Sequence, residues 1–313
     1  MDVVALTDLD GARRDSLGSL VARADAADGH PPLPEPQRLA ITRDGEAAHG
    51  VRAVLAAREG TLWGCALLTP ARDGSWTLHL VTDPGETDRA VVASQLIDVA
   101  VDVATGAGGG GTLHLWAMRA GAVDDDLARR HGFAPERDLL QMRVPLPLAD
   151  DVLAATRPLI TRPFEPGRDD ESWLAINNRA FAGHPEQGQW TPSQLRERLA
   201  ADWVDLEGFL VADDPDGGGI VGSCWTKIHR DHTPVLGEIY VISVDPTHHG
   251  GGLGRALTVA GLDYMAGRGV RVGMLYTDAS NEAAVALYRA LGFTVDHVDR
   301  SYRRDVPALH AVS

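Results

Sequence analysis

The chain contains little cysteine, with only Cys65 and Cys224 among its 313 residues. Two cysteines give no disulfide framework, which favours a reducing, cytoplasmic environment. Long apolar runs are missing too: no stretch approaches the roughly 18 residues that span a membrane, so we expect no membrane partner. The N-terminal segment carries Asp2, Asp8 and Asp10 but no apolar run, and we therefore expect no secretory signal.

Positive charge is also scarce. Lys and Arg together number 29 against 44 Asp and Glu, which gives a net charge of −15. Such a chain repels phosphate backbones, so we expect no nucleic-acid partner, and any anionic ligand needs a local site. Among the 29 cations only Lys227 is a lysine. A composition bias toward arginine explains most of the imbalance, but the one lysine also indicates a position where a guanidinium would not serve.

The remaining composition, 44% hydrophobic and 23% charged, is that of an ordinary globular protein. Three pairs of similar segments follow one another at offsets of 159, 162 and 160 residues. These near-constant offsets predict two copies of one domain, residues 1–146 and 158–313, joined by a proline-rich linker at 147–157. The matched segments are Leu62–Cys65 with Val221–Cys224, Val81–Pro84 with Ser243–Pro246, and Arg129–Phe133 with Arg289–Phe293.

The second copy predicts an α+β fold with a mixed, mostly antiparallel sheet flanked by helices. Runs rich in Val and Ile indicate strands, and apolar residues at spacings of 3, 4 and 7 indicate helices. Thr191–Pro192 and Asn281 each begin a helix as N-caps. The predicted strands are 208–212, 220–228, 236–244, 270–276 and one that begins at 293, with a helix from 253 to 265 before the fourth strand.

A glycine-rich loop follows the strand that ends at Asp245–Pro246 and leads directly into a helix. Its glycines are Gly250, Gly251, Gly252 and Gly254. Glycine lets backbone N–H groups turn toward a ligand, and a helix N-terminus adds a positive dipole, so the loop can hold a pyrophosphate. A flexible strand-to-helix turn is the alternative. The loop matches neither a Walker motif nor a Rossmann fingerprint.

The order of Val244–Pro246, the glycine-rich loop, a helix, a strand, Asn281 and Leu287–Phe293 resembles the GCN5-related N-acetyltransferases, or GNAT family. The resemblance implies two tandem GNAT domains and acetyl-CoA as co-substrate. Segments 177–188, 225–229 and 237–241 further resemble tandem GNAT enzymes that acetylate the cysteinyl amine of a cysteine–glucosamine–inositol precursor. In that group the partners are this small thiol and acetyl-CoA, and we expect a monomer.

The resemblance also implies individual ligand contacts, carried over position by position. The implied substrate contacts are Glu35, Glu186, Lys227, Glu238 and Tyr276. The implied acetyl-CoA contacts in the second copy are Ile242, Ser243, Val244, His249, Gly250, Gly251, Gly252, Leu253, Gly254, Arg255, Asn281, Glu282, Ala283, Ala284, Val285 and Ala286. In the first copy Leu80, Val81 and Thr82 would lie beside a vestigial acetyl-CoA site.

Amide formation needs a neutral amine, so a base must take a proton from it. We predict that Glu238 is this base, while the resemblance implies that Tyr288 protonates the departing CoA thiolate. Both residues have structural alternatives, as a solvated strand carboxylate and as a core aromatic. His248 and His249 have no third ligand at suitable spacing, and we expect no metal.

Two departures from the family pattern stand out. The loop has His249, Gly250 and Gly251 where the family often has cations, so we expect Arg255 to compensate. In the first copy the equivalent loop has one glycine and two acids, and positions 76 and 128 lack the base and the acid. We therefore predict that the first copy is structural and contributes Glu35 at most.

Two other functions stay open at this point. One is a tandem GNAT enzyme for another amine, such as an aminoglycoside or a protein N-terminus. The other is a non-catalytic regulator that binds acetyl-CoA. The regulator would be expected to have a degenerate second copy, whereas Glu238, Asn281 and Tyr288 are all present.

Overall fold

The computed structural model describes residues 1–7, 9–42, 50–71, 73–106, 111–182, 188–215 and 217–307. Contacts group the chain into two compact units. Unit 1 comprises Met1–Leu139 and the residues from His297 onward, and unit 2 comprises Leu140–Asp296. The predicted domain bounds stay a prediction. The contact-based units differ from them at two places, because residues 140–157 belong to unit 2 and those from His297 onward belong to unit 1.

In unit 1 the strands lie in the order β1-β2-β3-β4-β5-β12-β6. Strands β1 to β4 pair antiparallel with one another, and β4 pairs parallel with β5. Strand β12 pairs antiparallel with β5 from Arg300 onward. The elements are β1 (Asp2–Leu6), α1 (Gly11–Asp28), α2 (Glu35–Thr42), β2 (Arg52–Arg58), β3 (Thr61–Pro70), β4 (Trp76–Thr82), α3 (Arg89–Gly106), β5 (Gly111–Ala117) and α4 (Ala122–Arg130), with β6 (Ala134–Pro145) and β12 (Thr294–Val306) shared between the units.

In unit 2 the order is β6-β11-β10-β9-β8-β7. Strands β7 to β10 pair antiparallel and β10 pairs parallel with β11. The further elements are α5 (Asp150–Ala154), β7 (Arg162–Pro163), α6 (Asp170–Ala180), α7 (Pro192–Leu199), β8 (Phe209–Asp213), β9 (Ile220–His229), β10 (Leu236–Val244), α8 (Leu253–Gly267), β11 (Val272–Asp278) and α9 (Glu282–Ala290), with short 3₁₀ turns at Leu206–Gly208 and Pro246–His248.

The predicted repeat of an α+β domain is confirmed by the two units. Each has an antiparallel run of strands, then a helix, a parallel strand and a second helix. The helices α4 and α9 both have 9 residues and begin 160 positions apart. The predicted N-caps are also present, because Thr191 accepts from the Gln194 N–H and Asn281 from the Ala284 N–H.

A cluster of large aromatic side chains forms part of the core of unit 2. Phe209 stacks between Phe164 and Trp225, with ring centroids 4.3 Å apart in both pairs. Trp173 meets these rings edge-on, and its indole N–H donates to Ser223 at 2.8 Å. This core fixes α6 against β9 and so supports one face of the sheet. Among the described residues, no helix is long and apolar enough to cross a membrane.

Candidate active site

The strands β10 and β11 separate in the middle of unit 2. Their parallel pairing joins Leu236 to Val272, Gly237 to Gly273 and Glu238 to Met274. In the range 217–307 that pairing goes no further, although β10 continues to Val244 and β11 to Asp278. The backbone of Ile239–Val244 therefore keeps hydrogen-bonding groups on its β11 side for a ligand.

A buried aspartate shapes the loop that follows β10. Asp245 accepts from the Thr247 N–H at 3.0 Å and pairs with Arg179 of α6. These contacts, that with Arg179 first, lower the pKa of Asp245 to about 2, so the carboxylate stays ionised at any working pH. The Asp–Pro segment thus has a structural reason: its carboxylate caps the turn from which the glycine-rich loop starts.

The glycine-rich loop delivers the chain into the N-terminus of α8. Gly250 and Gly252 have φ values of 81° and 74°, a region that L side chains rarely adopt. Gly252 is the N-cap of α8, and no side chain among the described residues caps this helix. The first N–H groups of α8 accordingly have no side-chain partner at the cap, which leaves a site for an anion. The predicted cradle of Gly250–Gly254 therefore has the required backbone geometry.

Arg255 has a different side-chain position from the one expected. Its Nε donates to Thr156 Oγ1 at 3.0 Å and its Nη2 to the Val152 carbonyl at 3.4 Å. The guanidinium is thus already hydrogen-bonded to the end of α5. His249, in the loop itself, has its Nε2 3.3 Å from the Val244 carbonyl oxygen. The contacts predicted for both residues toward acetyl-CoA stay predictions.

Glu238 lies at the point where β10 leaves β11. It is opposite Lys227 in the register with β9, so both side chains project from the same face of the sheet. The residue before Lys227, Thr226, packs against Gly261 of α8. Because successive side chains of a strand alternate between its faces, Lys227 and Glu238 project away from α8. Glu238 is 12% exposed, which leaves its carboxylate accessible to a substrate.

His229 is a neighbour of Glu238 that the sequence reasoning did not assign. Its Nε2 donates to Glu238 Oε2 at 2.7 Å. His229, Asp231 and His232 also have ligand-capable atoms within 4.8 Å of one another. The only signal in the sequence was the position of His229 two residues after Lys227, on the same strand face. The predicted absence of a metal stays a prediction that a metal titration can test.

Lys227 is held in an aromatic environment. Its Nζ lies 4.5 Å from the ring centre of Trp203 and 5.6 Å from that of Tyr240, and the residue is 9% exposed. Two ring faces stabilise an ammonium by cation–π attraction. A compact ammonium fits between the rings, which gives the single lysine of the chain a physical reason and agrees with the interpretation that an arginine would not serve there.

Tyr276 is on β11, two residues beyond Met274, the residue paired with Glu238. It therefore projects from the same sheet face as Glu238. Its hydroxyl accepts from Gln141 Nε2 at 2.7 Å, and Gln141 Oε1 accepts from Arg143. The residue is 38% exposed, so its ring is available to a ligand. Lys227, Glu238 and Tyr276, three of the predicted substrate contacts, thus share one face.

Tyr288 lies on the other side of the sheet. It is in α9, is 7% exposed, and its ring centre is 5.7 Å from that of Phe293. Burial, with a contribution from the neighbouring Cys224 on the α8 side of β9, raises the pKa of Tyr288 to about 12. Among the described residues its hydroxyl has no hydrogen-bond partner. The hydroxyl is therefore a protonated donor, as a general acid must be.

Two predicted substrate contacts cannot be located. Glu35 is the first residue of α2 in unit 1, but its side chain lies outside the described residues. Glu186 also lies outside them. The remaining predicted acetyl-CoA contacts lie at the ends of elements: Ile242–Val244 end β10, and Glu282–Ala286 form the first turns of α9 after the Asn281 cap. Their contacts with the cofactor stay predictions.

Unit 1 has the same splayed strands but a different loop. Pairing of β4 with β5 stops at His79, and Leu80–Thr82 line a cavity of about 170 Å³. In the loop, Gly85 N–H donates to Asp83 and Asp88 N–H donates to Glu86. The first of these bonds has a counterpart in unit 2, where the Thr247 N–H donates to Asp245. The Glu86 carboxylate, however, occupies an N–H group that a phosphate would need, which supports the prediction that this copy is degenerate.

Two separating strands beside a glycine-rich loop and a helix N-terminus are typical of the GNAT class of acetyltransferases. Similarity to known proteins gives the same class. The sequence model of the Acetyltransferase (GNAT) family matches residues 171–293. A tandem GNAT protein from the clavulanic acid biosynthesis pathway superposes with a TM-score of 0.71 at 17% identity, over 99% of both chains.

Close relatives narrow the family. The mycothiol acetyltransferase of Kocuria rhizophila is 41% identical over 302 residues, which are 92% of this chain and 95% of that protein. That of Thermomonospora curvata is 40% identical over 314 residues, covering 98% of this chain and 100% of that protein. The chain therefore belongs to the mycothiol acetyltransferase family of tandem GNAT enzymes, and it is an N-acetyltransferase.

Proposed function

We propose that the chain transfers the acetyl group of acetyl-CoA to the cysteinyl amine of the cysteine–glucosamine–inositol precursor and so produces mycothiol. The observation that carries the proposal is the position of Glu238. It is the last residue of β10 paired with β11, it faces the same side as Lys227 and Tyr276, and its carboxylate is partly accessible. Membership of the mycothiol acetyltransferase family supports the choice of substrate.

Unit 2 fits acetyl-CoA as the donor. The free edge of Ile239–Val244 suits the amide groups of pantetheine, and the turn Gly250–Gly252 opens onto the uncapped N-terminus of α8 for the pyrophosphate. Acetyl-CoA supplies an activated thioester whose sulfur departs as a thiolate. The chain's own residues must then position the amine, remove its proton and return a proton to the sulfur.

Glu238 removes the proton from the amine. An α-amine has a pKa of about 7.7–8.0, so much of it is protonated near neutral pH. His229 donates to one carboxylate oxygen, Oε2, which fixes the side chain and leaves Oε1 for the amine or a bridging water. Because the hydrogen bond restrains rotation about the side chain, His229 is a positioning residue for the base.

Tyr288 returns the proton on the opposite side of the sheet. Its buried phenol stays protonated because its pKa is about 12. The departing thiolate is poorly solvated and therefore accepts a proton readily. A nearby phenol can stabilise it at that moment. The two proton transfers thus use different faces of the sheet and do not compete for one group.

Substrate recognition rests on the face that carries Lys227 and Tyr276. The ammonium of Lys227 is held by two aromatic rings, and the hydroxyl of Tyr276 by Gln141. Held side chains lose little entropy on binding sugar and inositol hydroxyls. Glu35 and Glu186 complete the proposed substrate set by resemblance. Unit 1 has no part in the chemistry in this proposal, and Leu80–Thr82 border a vestigial cofactor site there.

The experiment uses the cysteinyl–glucosaminyl–inositol substrate and the same compound without its cysteine. Mass spectrometry should find one acetyl group on the first, with its thiol still titratable, and none on the second. Acetylation of the compound without cysteine, or of the sulfur, would reject the proposed substrate. An aminoglycoside and a peptide with a free N-terminus test the other amines, and CoA binding without any transfer would indicate a regulator.

A further inference from the structure

Arg157, which follows α5, lies beside the glycine-rich loop. Its Nη1 is 3.9 Å from the position that a Cβ at Gly251 would take, and its Cδ is 4.0 Å from that position at Gly252. The side chain is exposed, and within the described part of the chain it makes no hydrogen bond or ion pair. An arginine with unused donors therefore borders the turn that leads into α8.

The segment that carries Arg157 is fastened to α8 itself. Arg255, in the first turn of α8, donates to Thr156 Oγ1 at 3.0 Å and to the Val152 carbonyl at 3.4 Å. Thr156 directly precedes Arg157. The hydrogen bonds from Arg255 thus hold the backbone of the segment that carries Arg157 next to the loop.

The other basic groups near the loop are already engaged. Arg179 pairs with Asp245, and Arg255 binds Thr156. His249 contacts the Val244 carbonyl, and His248 Nδ1 lies 3.0 Å from Thr247 Oγ1. Residues 245–252 contain no lysine or arginine, while the chain as a whole carries a net charge of −15. A doubly charged pyrophosphate at this place needs compensation beyond backbone N–H groups, because the surrounding field is negative.

We propose that the guanidinium of Arg157 binds the pyrophosphate of acetyl-CoA, together with the N–H groups of the loop. A planar guanidinium can donate two parallel hydrogen bonds to phosphate oxygens, which an ammonium cannot. Arg157 thus supplies from outside the loop the charge that His249, Gly250 and Gly251 do not supply. The inference rests on the proposed function only in taking acetyl-CoA as the donor.

Equilibrium binding of three ligands to the wild type and to Arg157→Ala tests the inference by calorimetry. The ligands are CoA, 3′-dephospho-CoA, which keeps the pyrophosphate, and S-acetylpantetheine, which lacks both the pyrophosphate and the 3′-phosphate. Arg157→Ala should weaken CoA and 3′-dephospho-CoA by the same factor, about tenfold, and leave S-acetylpantetheine unchanged. Arg157→Lys should recover part of the loss, and the wild-type affinity should fall more steeply with salt than that of Arg157→Ala.

Arg271→Ala is the matched control. The side chain of Arg271 is likewise exposed and without a described partner, and the residue precedes β11 at the end of the sheet opposite the loop. It removes the same charge and should leave all three affinities unchanged. Equal binding of CoA by wild type and Arg157→Ala would overturn the inference, as would a loss confined to CoA, which would assign Arg157 to the 3′-phosphate. A wild type that binds no CoA would instead refute the proposed function.

Discussion

At the scale of single residues, the reaction depends on how two side chains are held. Glu238 shares a hydrogen bond with His229, whereas Tyr288 is fixed by burial. A positioned acid or base contributes about 10²–10⁴-fold to a rate. The two residues can be separated experimentally, because only the base becomes unnecessary when the amine is already neutral.

Glu238→Gln should lower kcat by about 10²–10⁴-fold near neutral pH. Raising the pH above the amine pKa of about 8 should recover part of the loss, because the neutral amine no longer needs a base. The measurement is kcat as a function of pH with saturating acetyl-CoA. Glu171→Gln, an exposed position in the first turn of α6, is the control and should resemble the wild type. A pH-independent loss in Glu238→Gln would contradict the role of base.

Tyr288→Phe should lower kcat without recovery at high pH, because it removes a proton donor. The pKa of Tyr288 is raised to about 12, so its phenol is protonated below that value and loses its proton only above it. The wild-type profile should therefore show no alkaline decline from this tyrosine below about pH 11. A kcat for Tyr288→Phe equal to that of the wild type would show that Tyr288 serves only the core.

Lys227→Met should raise KM for the amine substrate by about tenfold and leave KM for acetyl-CoA near its wild-type value. Methionine keeps most of the side-chain volume between Trp203 and Tyr240, so the effect reports the lost charge. Initial rates with each substrate varied in turn provide the measurement. A change confined to the acetyl-CoA constant would assign Lys227 to the cofactor site.

At the scale of elements, the loop between β10 and α8 depends on backbone conformation as much as on charge. Gly252 has a φ of 74°, so any side chain there introduces strain. Asn and Asp tolerate this region better than other residues and differ mainly in charge. Gly252→Asp should raise KM for acetyl-CoA at least tenfold more than Gly252→Asn does, because only Asp repels the pyrophosphate. Equal effects would mean that strain alone disturbs the loop.

Most elements of unit 2 could be predicted from the sequence, since local signals fix them. Thr191–Pro192 and Asn281 cap helices as expected, and β10 has the predicted bounds of Leu236–Val244. The alignment of the two copies was less exact. Gly64 faces α3 and a backbone carbonyl of β4, and Gly222 faces α8 and a backbone carbonyl of β10. The two glycines therefore correspond, at an offset of 158 and not 159. Close packing of a helix, which sequence similarity does not reveal, requires glycine at this position.

The site was predictable only in part, because its decisive contacts are between side chains distant in sequence. The sequence and its family resemblance suggested roles for Glu238 and Tyr288, but the hydrogen bond from His229 needs the antiparallel register of β9 and β10. Arg255 carried the right charge, yet its guanidinium binds Thr156, 99 residues earlier. Such choices are made by packing and geometry, which spacing along the chain does not encode.

At the scale of the whole molecule, the two copies keep one frame and differ in chemistry. In both units an arginine from a preceding helix, Arg23 or Arg179, holds the aspartate of the Asp–Pro turn. Unit 1 then places Glu86 on one of its own loop N–H groups, while the loop of unit 2 leads to an uncapped helix. Structural residues have therefore been retained in both copies, and the groups proposed for phosphate binding and proton transfer are present in unit 2.

The asymmetry predicts that one loop governs turnover. An offset of 162 relates Thr87 of unit 1 to His249 of unit 2, and both are exposed loop residues at which aspartate adds the same charge. His249→Asp should raise KM for acetyl-CoA about tenfold or more, because the new carboxylate faces the proposed pyrophosphate position. Thr87→Asp should leave kcat and both KM values within about twofold of the wild type, since Glu86 and Asp88 already make that loop anionic. Initial rates of both variants, with thermal unfolding as a check on folding, decide the matter. A comparable loss in Thr87→Asp would show that unit 1 also binds acetyl-CoA productively, and the role assigned here to unit 2 alone would be wrong.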